Sequence, residues 1–319
     1  MPRAGWKFVV TLIVAVGIVL HISRTRHKVS VEAAILQMPT FQPPQRVPHP
    51  TLLFGATNIC RNIKDVPIIF AVLSRIDDVA ERDFLRAHWD EYMGGREIPR
   101  VFVLGTSEDP QSMEHIRKEF AEHGDLVVSD FLDTYNNLSL KTLSALHFVS
   151  ANCHQAPAML KVDLDVLVHV PRLLHLLNSV DLSEAVILGR VWERSAVRRN
   201  PEDRNSEYSW PFDVYPPYPS GPCYVVSMPA IDKLLDLKLG FPLWLNEDMN
   251  TGFMSLHAGV RLVNHFALFA ADKSGVSFGA CDGGVVSMHK RFDLSEASNR
   301  KLLREWGSCS LILESPRLR

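Results

Sequence analysis

Asp163 and Asp165, two positions apart, are the residues whose types and spacing most directly suggest chemistry. They follow the apolar stretch Ala156 to Leu160, which predicts a strand running into an acidic loop. Side chains on a strand alternate between its faces, so both carboxylates point one way and Leu164 points the other. Carboxylate oxygens suit Mg²⁺ or Mn²⁺, which commonly take further ligands from water and a diphosphate. The alternative is a strand end with two solvated acids, because a D-x-D pair often arises by chance.

The elements that position this pair alternate between strand and helix. Predicted strands cover 66–73, 100–104, 126–128, 156–163 and 186–188, and predicted helices cover 80–92, 112–123, 139–152 and 171–177. The alternation predicts an α/β fold with a mainly parallel sheet and helices on both faces. Ligands of such sheets bind beyond the carboxyl ends of the strands, where Asp163 and Asp165 fall.

The second half of the chain is less regular. The proline-rich segment from Tyr215 to Pro222 predicts a loop, followed by a strand from Cys223 to Ser227 and a helix from Met228 to Leu237. An acidic turn at 245–248 leads into a helix from about Met249 to Ala258.

Composition narrows the class of protein. A chain of 319 residues is long enough for one large or two small domains with an ample core. The net charge of -2 gives no sign of a nucleic-acid partner. The five cysteines lack the C-x-x-C spacing of a zinc site, and their odd number leaves at least one without a partner inside the chain. Their connectivity stays open.

The N-terminus predicts a membrane anchor. Phe8 to Leu20 is apolar or small apart from Thr11, and counting from Trp6 to Ile22 gives 17 residues, near the lower limit of ~17 for a spanning helix. Basic residues follow it instead of a cleavage site, which favours an uncleaved signal anchor. Basic residues flank both ends, so charge alone does not settle the orientation.

The predicted organisation is a short cytoplasmic tail (1–5), the anchor (6–22), a proline-rich stem (23–60) and a folded domain (61–319). If the bulk of the chain is luminal, the sequon Asn137-Leu138-Ser139 could carry a glycan and the cysteines could oxidise. A single N-x-S also occurs by chance.

Six motifs in order resemble those of the β1,3-galactosyltransferase family, the inverting β1,3-glycosyltransferases of the Golgi that use UDP-sugars. In this chain they are R-D-F-L-R-A-H-W (82–89), V-F-V-L-G (101–105), D-F-L-D-T-Y-N-N-L-S-L-K-T (130–142), K-V-D-L-D (161–165), Y-P-P-Y-P-S-G-P-C-Y-V-V-S (215–227) and E-D-M-N-T-G (247–252). The match covers most of Ile68 to Gly252, with a weaker tail to His289. The resemblance implies a GT-A-like catalytic domain behind a single-pass type II anchor in the Golgi membrane.

The resemblance also implies a chemistry. An acceptor hydroxyl attacks the anomeric carbon of a UDP-sugar while UDP leaves from the opposite face. Asp248 matches the general base, and an ordinary Asp pKa of about 3.9 would keep it ionised. Asp165 matches the ligand of Mn²⁺ or Mg²⁺, Asp163 would contact the metal shell or the donor ribose, and His289 would complete the metal shell.

Further positions follow from the same resemblance. Arg82 and Arg86 share a helix face and are candidates for donor binding, with ordinary ion pairs as the alternative. Acceptor-binding candidates are Tyr218, Gly221, Trp244 and Glu247, although the aromatic residues could equally belong to the core. The pair Glu247 and Asp248 could also be two acids favoured by a helix N-terminus. Lys141 and Lys161 match the family without an assigned role.

The chain departs from the family motifs at three positions. Leu164 replaces the middle acid of the family's triple aspartate, His169 replaces an asparagine, and Met249 replaces a valine. The preferred donor is UDP-galactose, the alternative is UDP-N-acetylglucosamine, and the acceptor is a glycan on protein or lipid. The alternative outside enzymes is a catalytically silent member of the family that binds glycans or assists a partner transferase. Leu164 is the feature that supports this alternative, because it replaces an acid of the family motif.

Overall fold

The computed structural model describes residues 31–36, 45–61, 63, 65–93, 96–197, 212–239, 246–265, 270–271 and 286–289. The chain divides into two compact units, Met1–Pro39 and Thr40–Arg319. In the first unit, only helix α1 (Val31–Leu36) is described. The predicted tail and anchor, 1–5 and 6–22, lie outside the described residues. No helix in the described ranges is both long and apolar enough to span a membrane.

The second unit is built from strands and helices in alternation. Its strands are β1 (Gln45–Arg46), β2 (Leu52–Gly55), β3 (Ile69–Leu73), β4 (Arg100–Thr106), β5 (Leu126–Leu132), β6 (Ala158–Asp163), β7 (Val166–Val168), β8 (Val186–Trp192), β9 (Tyr218–Ser227), β10 (Lys238–Leu239), β11 (Arg261–Asn264), β12 (Ala270–Ala271) and β13 (Ser287–His289). Its helices are α2 (Val79–Ala87), α3 (Trp89–Met93), α4 (Pro110–His123), α5 (Leu138–Asn152), α6 (Val170–Leu177), α7 (Met228–Leu235) and α8 (Glu247–Ala258), with a 3₁₀ turn at Tyr135–Asn137.

The central sheet has eight strands in the order β11-β8-β9-β6-β3-β4-β5-β2. Six of the eight strands run in one direction, and β9 and β2 run against them. Helices α3, α4 and α6 contribute to the core on one face, while α5, α7 and α8 pack together on the other. The predicted α/β class with a mainly parallel sheet is confirmed.

Local chemistry explains where several helices begin and end. The Asp109 side chain accepts hydrogen bonds from two backbone N–H groups of the first turn of α4, and Pro110 occupies the first helical position. Helix α4 ends at Gly124, whose φ of 65° is the left-handed conformation that glycine adopts without strain. Helix α8 ends in the same way at Gly259.

Two predicted elements differ in kind from those observed. The helix predicted over 80–92 breaks at His88, whose ring nitrogen lies 2.8 Å from the Phe84 carbonyl that also accepts the His88 N–H. The predicted loop at 215–222 belongs partly to β9, where the register shifts opposite Gly189 and Val191. Such an irregularity tolerates prolines because it lacks regular ladder bonds.

The folded unit also begins before residue 61. Strand β2 pairs antiparallel with β5 at the edge of the sheet, and β1 pairs with β10. A disulfide joins Cys60 to Cys153 across 93 residues, a pairing that spacing alone did not give. The C-terminal part of the predicted 23–60 stem, from residue 45, therefore belongs to the folded unit.

Candidate functional site

The D-x-D segment lies at the carboxyl edge of the sheet, as predicted. Asp163 is the last residue of β6, and the Leu164 N–H donates to the carbonyl of Leu73, at the end of β3. The Leu164 side chain is partly buried and packs against the hydrophobic core. It therefore points away from the carboxylate of Asp163, and a leucine at this position stabilises the fold without occupying the site.

Lys161 connects the D-x-D segment to strand β9. It is only 2% exposed, and its Nζ donates to Asp163 Oδ1 at 2.6 Å and to the Gly221 carbonyl at 2.6 Å. Its Nζ also lies 3.7 Å from Glu247 Oε2. Burial alone would lower the pKa of Lys161, but the carboxylates of Asp163 and Glu247 raise it on balance. The ammonium is therefore a fixed positive charge between three elements.

Glu247, predicted to contact the acceptor, is a buried anchor of helix α8. It is 7% exposed, and its Oε1 accepts from the Tyr224 hydroxyl at 2.5 Å and from the Thr142 hydroxyl at 2.9 Å. Burial and the nearby Glu247 carboxylate raise the pKa of Tyr224 well above its usual value, so the phenol stays a donor. The prediction for Glu247 is corrected, because its carboxylate is committed to protein partners.

Asp248, the predicted base, is the second residue of α8 and lies against Gly221. A Cβ added to Gly221 would meet Asp248 Oδ2 at 3.4 Å, so the small residue admits the carboxylate to this position. Asp248 Oδ1 accepts from the Met249 N–H at 2.9 Å. Burial, and then the Glu247 carboxylate, raise the pKa of Asp248 to about 6, with Lys161 opposing. The ordinary value near 3.9 expected from the sequence is thus replaced by one suited to a general base.

A second lysine joins the ends of three strands next to the site. Lys141 Nζ donates to the Ser74 carbonyl at 2.6 Å and to Asp133 Oδ1 at 2.6 Å. The other oxygen of Asp133 accepts from the Gly105 N–H at 3.0 Å. The segments that follow β3 and β5 are thereby tied to β4, which gives the motif residue Lys141 a structural role.

Arg82 and Arg86 do not form a donor site. Arg82 is completely buried, and its five N–H groups bond to Glu119, the Ser74 hydroxyl and the carbonyls of Arg75 and Ile76. The Arg86 side chain is buried in ion pairs with Glu119, Asp125 and Asp83. The donor-binding prediction is corrected for both residues. Arg82 instead fixes the loop after β3, since it holds two of its carbonyls.

The remaining predicted residues fall in different places. Tyr218 is mostly buried, and its hydroxyl donates to Ser195 Oγ at 3.0 Å, which places it in the wall of the site rather than on its surface. Trp244 lies outside the described residues. The amide of Asn137 in the sequon donates to the Leu132 carbonyl at 2.9 Å. The backbone of His289, in β13, pairs with Val166, the residue after Asp165.

The charge around the D-x-D segment fits a divalent cation. Burial and the carboxylates of Glu247 and Asp165 raise the pKa of Asp163, although Lys161 opposes them. This excess of negative charge, carried by hard oxygen ligands, suits Mn²⁺ or Mg²⁺. Within the described ranges, no three His, Cys, Asp or Glu side chains group closely enough to hold a metal by themselves. The two aspartates would therefore need further ligands from water, substrate or His289.

No role for Lys161 was predicted from the sequence, although its position in the strand contains a signal for one. Lys161 precedes Asp163 by two positions on one strand, so the two side chains share a face. A lysine in an otherwise apolar buried strand predicts a paired charge, since an isolated ammonium is costly to bury. Tyr224 and Thr142 gave no comparable signal, because their partner Glu247 lies far away along the chain.

The sequence is similar to those of known glycosyltransferases. The family profile described as "Galactosyltransferase" matches residues 80–265, more than half of the chain. Human "Beta-1,3-galactosyltransferase 5" is 28% identical over 220 residues, covering 67% of this chain and 70% of that protein. The Danio rerio "Lactosylceramide 1,3-N-acetyl-beta-D-glucosaminyltransferase A" is 30% identical over 231 residues, covering 67% of this chain and 60% of that protein.

Two further matches complete the comparison. The Rattus norvegicus "UDP-GalNAc:beta-1,3-N-acetylgalactosaminyltransferase 1" is 33% identical over 177 residues, covering 53% of this chain and 54% of that protein. Among solved structures, the galactosyltransferase LgtC in complex with donor and acceptor sugar analogs aligns with a TM-score of 0.41 and 12% identity, over 77% of this chain and 98% of that one.

Proposed function

Because the chain belongs to the galactosyltransferase family and is a glycosyltransferase, we propose that it transfers galactose from UDP-galactose to an acceptor glycan in β1,3 linkage with inversion. The observation that carries this proposal is the connected set Asp163, Lys161, Gly221 and Asp248. It places a carboxylate of pKa about 6 beside a D-x-D segment through one buried ammonium. Lys161 thereby fixes both Asp163 and the backbone of Gly221, against which Asp248 lies.

Asp248 is the residue that moves a proton. Its carboxylate accepts the proton of the acceptor hydroxyl as that oxygen bonds to the anomeric carbon, while the bond from that carbon to the UDP oxygen breaks on the opposite face. A positioned base contributes typically 10²–10⁴-fold to such a step. Attack opposite the leaving group inverts the anomeric configuration.

Asp163 and Asp165 hold the donor end of the site. When a divalent cation is bound there, it supplies Lewis-acid stabilisation of the charge that develops on the diphosphate. Lys161 keeps the Asp163 carboxylate in place through its 2.6 Å hydrogen bond. His289 is proposed as a further ligand on the basis of the pairing of β13 with β7.

The relatives of this chain differ from one another in the donor sugar that their names specify. Their printed names include galactosyl-, N-acetylglucosaminyl- and N-acetylgalactosaminyltransferases, at similar identity to this chain. In this proposal the site residues described above act on the diphosphate and on the acceptor hydroxyl, and neither group distinguishes the three donors. UDP-N-acetylglucosamine is therefore the second candidate donor.

We also propose that the protein is a single-pass type II protein of the Golgi membrane, anchored by 6–22, with the folded unit in the lumen. The Cys60–Cys153 disulfide supports this placement, because such bonds persist in oxidising compartments. A glycan on Asn137 is proposed with it, since one N–H of that amide would remain for its bond to Leu132. Loss of mass on treatment of the full chain with an N-glycosidase tests the glycan, and an unchanged mass would contradict it.

The experiment that tests the activity offers the full chain three donors with Mn²⁺: UDP-galactose, UDP-N-acetylglucosamine and UDP-N-acetylgalactosamine. Methyl β-lactoside and methyl β-N-acetyllactosaminide serve as acceptors, and UDP release and product linkage are measured. We expect a β1,3 product from UDP-galactose that is lost with chelator or in Asp165→Ala. The matched control Glu114→Gln, an exposed helix residue, should retain full activity. Absence of product from all three donors would refute the proposal.

A further inference from the structure

Two exposed aromatic side chains flank the site. Among the described residues, the exposed large apolar groups include two aromatic ones, Tyr135 at 71% and Trp192 at 39% exposure. Trp192 is the last residue of β8 and Tyr135 follows β5, so both lie at the carboxyl edge of the sheet. They stand on opposite sides of β6, which ends in Asp163.

Trp192 lies on the same side of β6 as Asp248, the proposed base. The strand order across the site is β6, β9, β8, and Gly221, which lies against Asp248, belongs to β9. Lys161, Tyr224 and Gly189 are in register across these three strands. Trp192 pairs with Tyr218, three residues from Gly221 along β9, so at about 3.3 Å per residue it lies roughly 10 Å beyond Gly221 in the direction in which β6 ends. Asp248 thus lies between the D-x-D segment and Trp192.

The register also places Trp192 on the same face of the sheet as helix α8. Trp192 pairs with Tyr218 across β8 and β9, and paired residues project to one face. A Cβ added to Gly252 of α8 would lie 2.5 Å from Tyr218 Cβ, so Tyr218 faces that helix. Trp192 therefore projects towards the layer that carries Asp248.

The indole of Trp192 is held in place. The Arg190 guanidinium carbon lies 4.4 Å from the centroid of the Trp192 ring, a cation–π contact. The N–H of the intervening Val191 donates to Asn264 Oδ1 at 3.1 Å, which fixes the end of the strand. A fixed and partly exposed indole loses little conformational freedom when a ligand packs on it.

The geometry points to Trp192, supported by Arg190, as an acceptor subsite that stacks against a sugar ring of the acceptor glycan. A pyranose presents a face of C–H groups to an aromatic ring and hydroxyls at its rim, so the stacked sugar can aim a hydroxyl at Asp248. The acceptor approaches from the side of the sheet opposite β3, away from the diphosphate end at Asp163 and Asp165. This inference rests on the proposed function, and it replaces Tyr218 and Glu247, both buried, as acceptor contacts.

The test compares Trp192→Ala, Trp192→Leu and Trp192→Phe in the full chain with methyl β-lactoside and methyl β-N-acetyllactosaminide. We expect the KM for the acceptor to rise roughly three- to tenfold in the Ala and Leu variants, as expected for loss of one aromatic contact. The Phe variant should stay within about threefold of wild type because it keeps an aromatic face. Tyr135→Ala, the matched exposed aromatic on the other side of β6, should keep the wild-type acceptor KM.

UDP release without acceptor is measured on the same variants. It should be unchanged in Trp192→Leu, because the subsite does not touch the donor. An unchanged acceptor KM in both the Ala and Leu variants, or an equal fall in acceptor-independent UDP release, overturns the subsite while leaving the transferase proposal intact. Failure of the wild-type protein to transfer sugar to either acceptor while releasing no UDP overturns the proposed function itself, and the subsite with it.

Discussion

The raised pKa of Asp248 makes the activity depend on pH in a specific way. The base must be ionised to accept a proton, so kcat/KM should rise with pH through the pKa of about 6 in the free enzyme. With that pKa, roughly one tenth of the molecules carry an ionised Asp248 at pH 5 and about nine tenths at pH 7. We therefore expect kcat/KM to increase about tenfold between pH 5 and pH 7.

The structure identifies the groups that raise the pKa of Asp248, so the cause of the shift can be tested by substitution. The variant Glu247→Gln removes the neighbouring negative charge. The rise of kcat/KM on the acid side of the pH profile (the acid limb) should therefore move to lower pH. It should not reach the ordinary value of about 3.9, because burial is the larger cause and remains. The matched control is Thr142→Val, which removes a 2.9 Å hydrogen bond to Glu247 without changing its charge. The acid limb of the Thr142→Val variant should stay at the pH of the wild-type limb.

The assay is the initial rate of sugar transfer at low substrate concentration across pH 4.5 to 8. A flat profile over this range, or a limb near pH 4 in the wild type, would refute the assignment of Asp248 as a perturbed base. A limb that stays in place in Glu247→Gln would refute the stated cause.

Three further predictions follow from buried contacts. Replacing Cys60 and Cys153 by serine should lower the free energy of unfolding by roughly 2–5 kcal/mol, since the bond closes a loop of 93 residues. Arg82→Met should cost roughly 3–5 kcal/mol of stability, because it leaves the buried Glu119 carboxylate without its strongest partner, while the donor KM of the folded protein stays unchanged. Lys161→Met should lower kcat/KM and shift the acid limb of activity to higher pH, because its positive charge lowers the pKa of Asp248.

Controls separate these effects from general damage. Arg46→Met removes an exposed ion pair of 3.7 Å and should change stability by less than about 0.5 kcal/mol in the same thermal unfolding assay. Lys161→Arg keeps the charge, so its acid limb should stay near the wild-type position even if its rate falls. If the folded Arg82→Met variant had a tenfold higher KM for the donor, Arg82 would bind the donor after all, and its purely structural role would be refuted.

Regular periodicity was enough to predict most of the fold. The strand ending at Asp163 is apolar apart from Lys161, the helix ending at Asn152 carries apolar residues at helical spacing, and the structure confirms both elements. The strand character of Tyr218 to Pro222 was missed, because the pairing of a proline-rich segment depends on partners elsewhere in the sheet. The role of Leu52 to Gly55 was missed for the same reason, since an edge strand of four residues has too little pattern of its own.

The site was predicted in part. Spacing predicted the carboxyl edge of the sheet for Asp163, where the structure places it, and the family motifs named Asp248 and Gly221 separately, which the structure brings together. The raised pKa of Asp248 could not be predicted, because it depends on burial and on the Glu247 carboxylate beside it in the folded protein. Arg82 was misassigned because helical spacing shows which residues share a face but not whether that face meets solvent or a buried carboxylate.

The most direct test of the central claim is the transfer rate of Asp248→Asn at saturating UDP-galactose and acceptor, measured beside the Kd for UDP in the presence of Mn²⁺. The amide keeps the shape of the side chain but cannot accept the proton. We predict a loss of at least about 10²-fold in kcat with the Kd for UDP unchanged. A kcat within tenfold of wild type would contradict the claim that Asp248 is the general base.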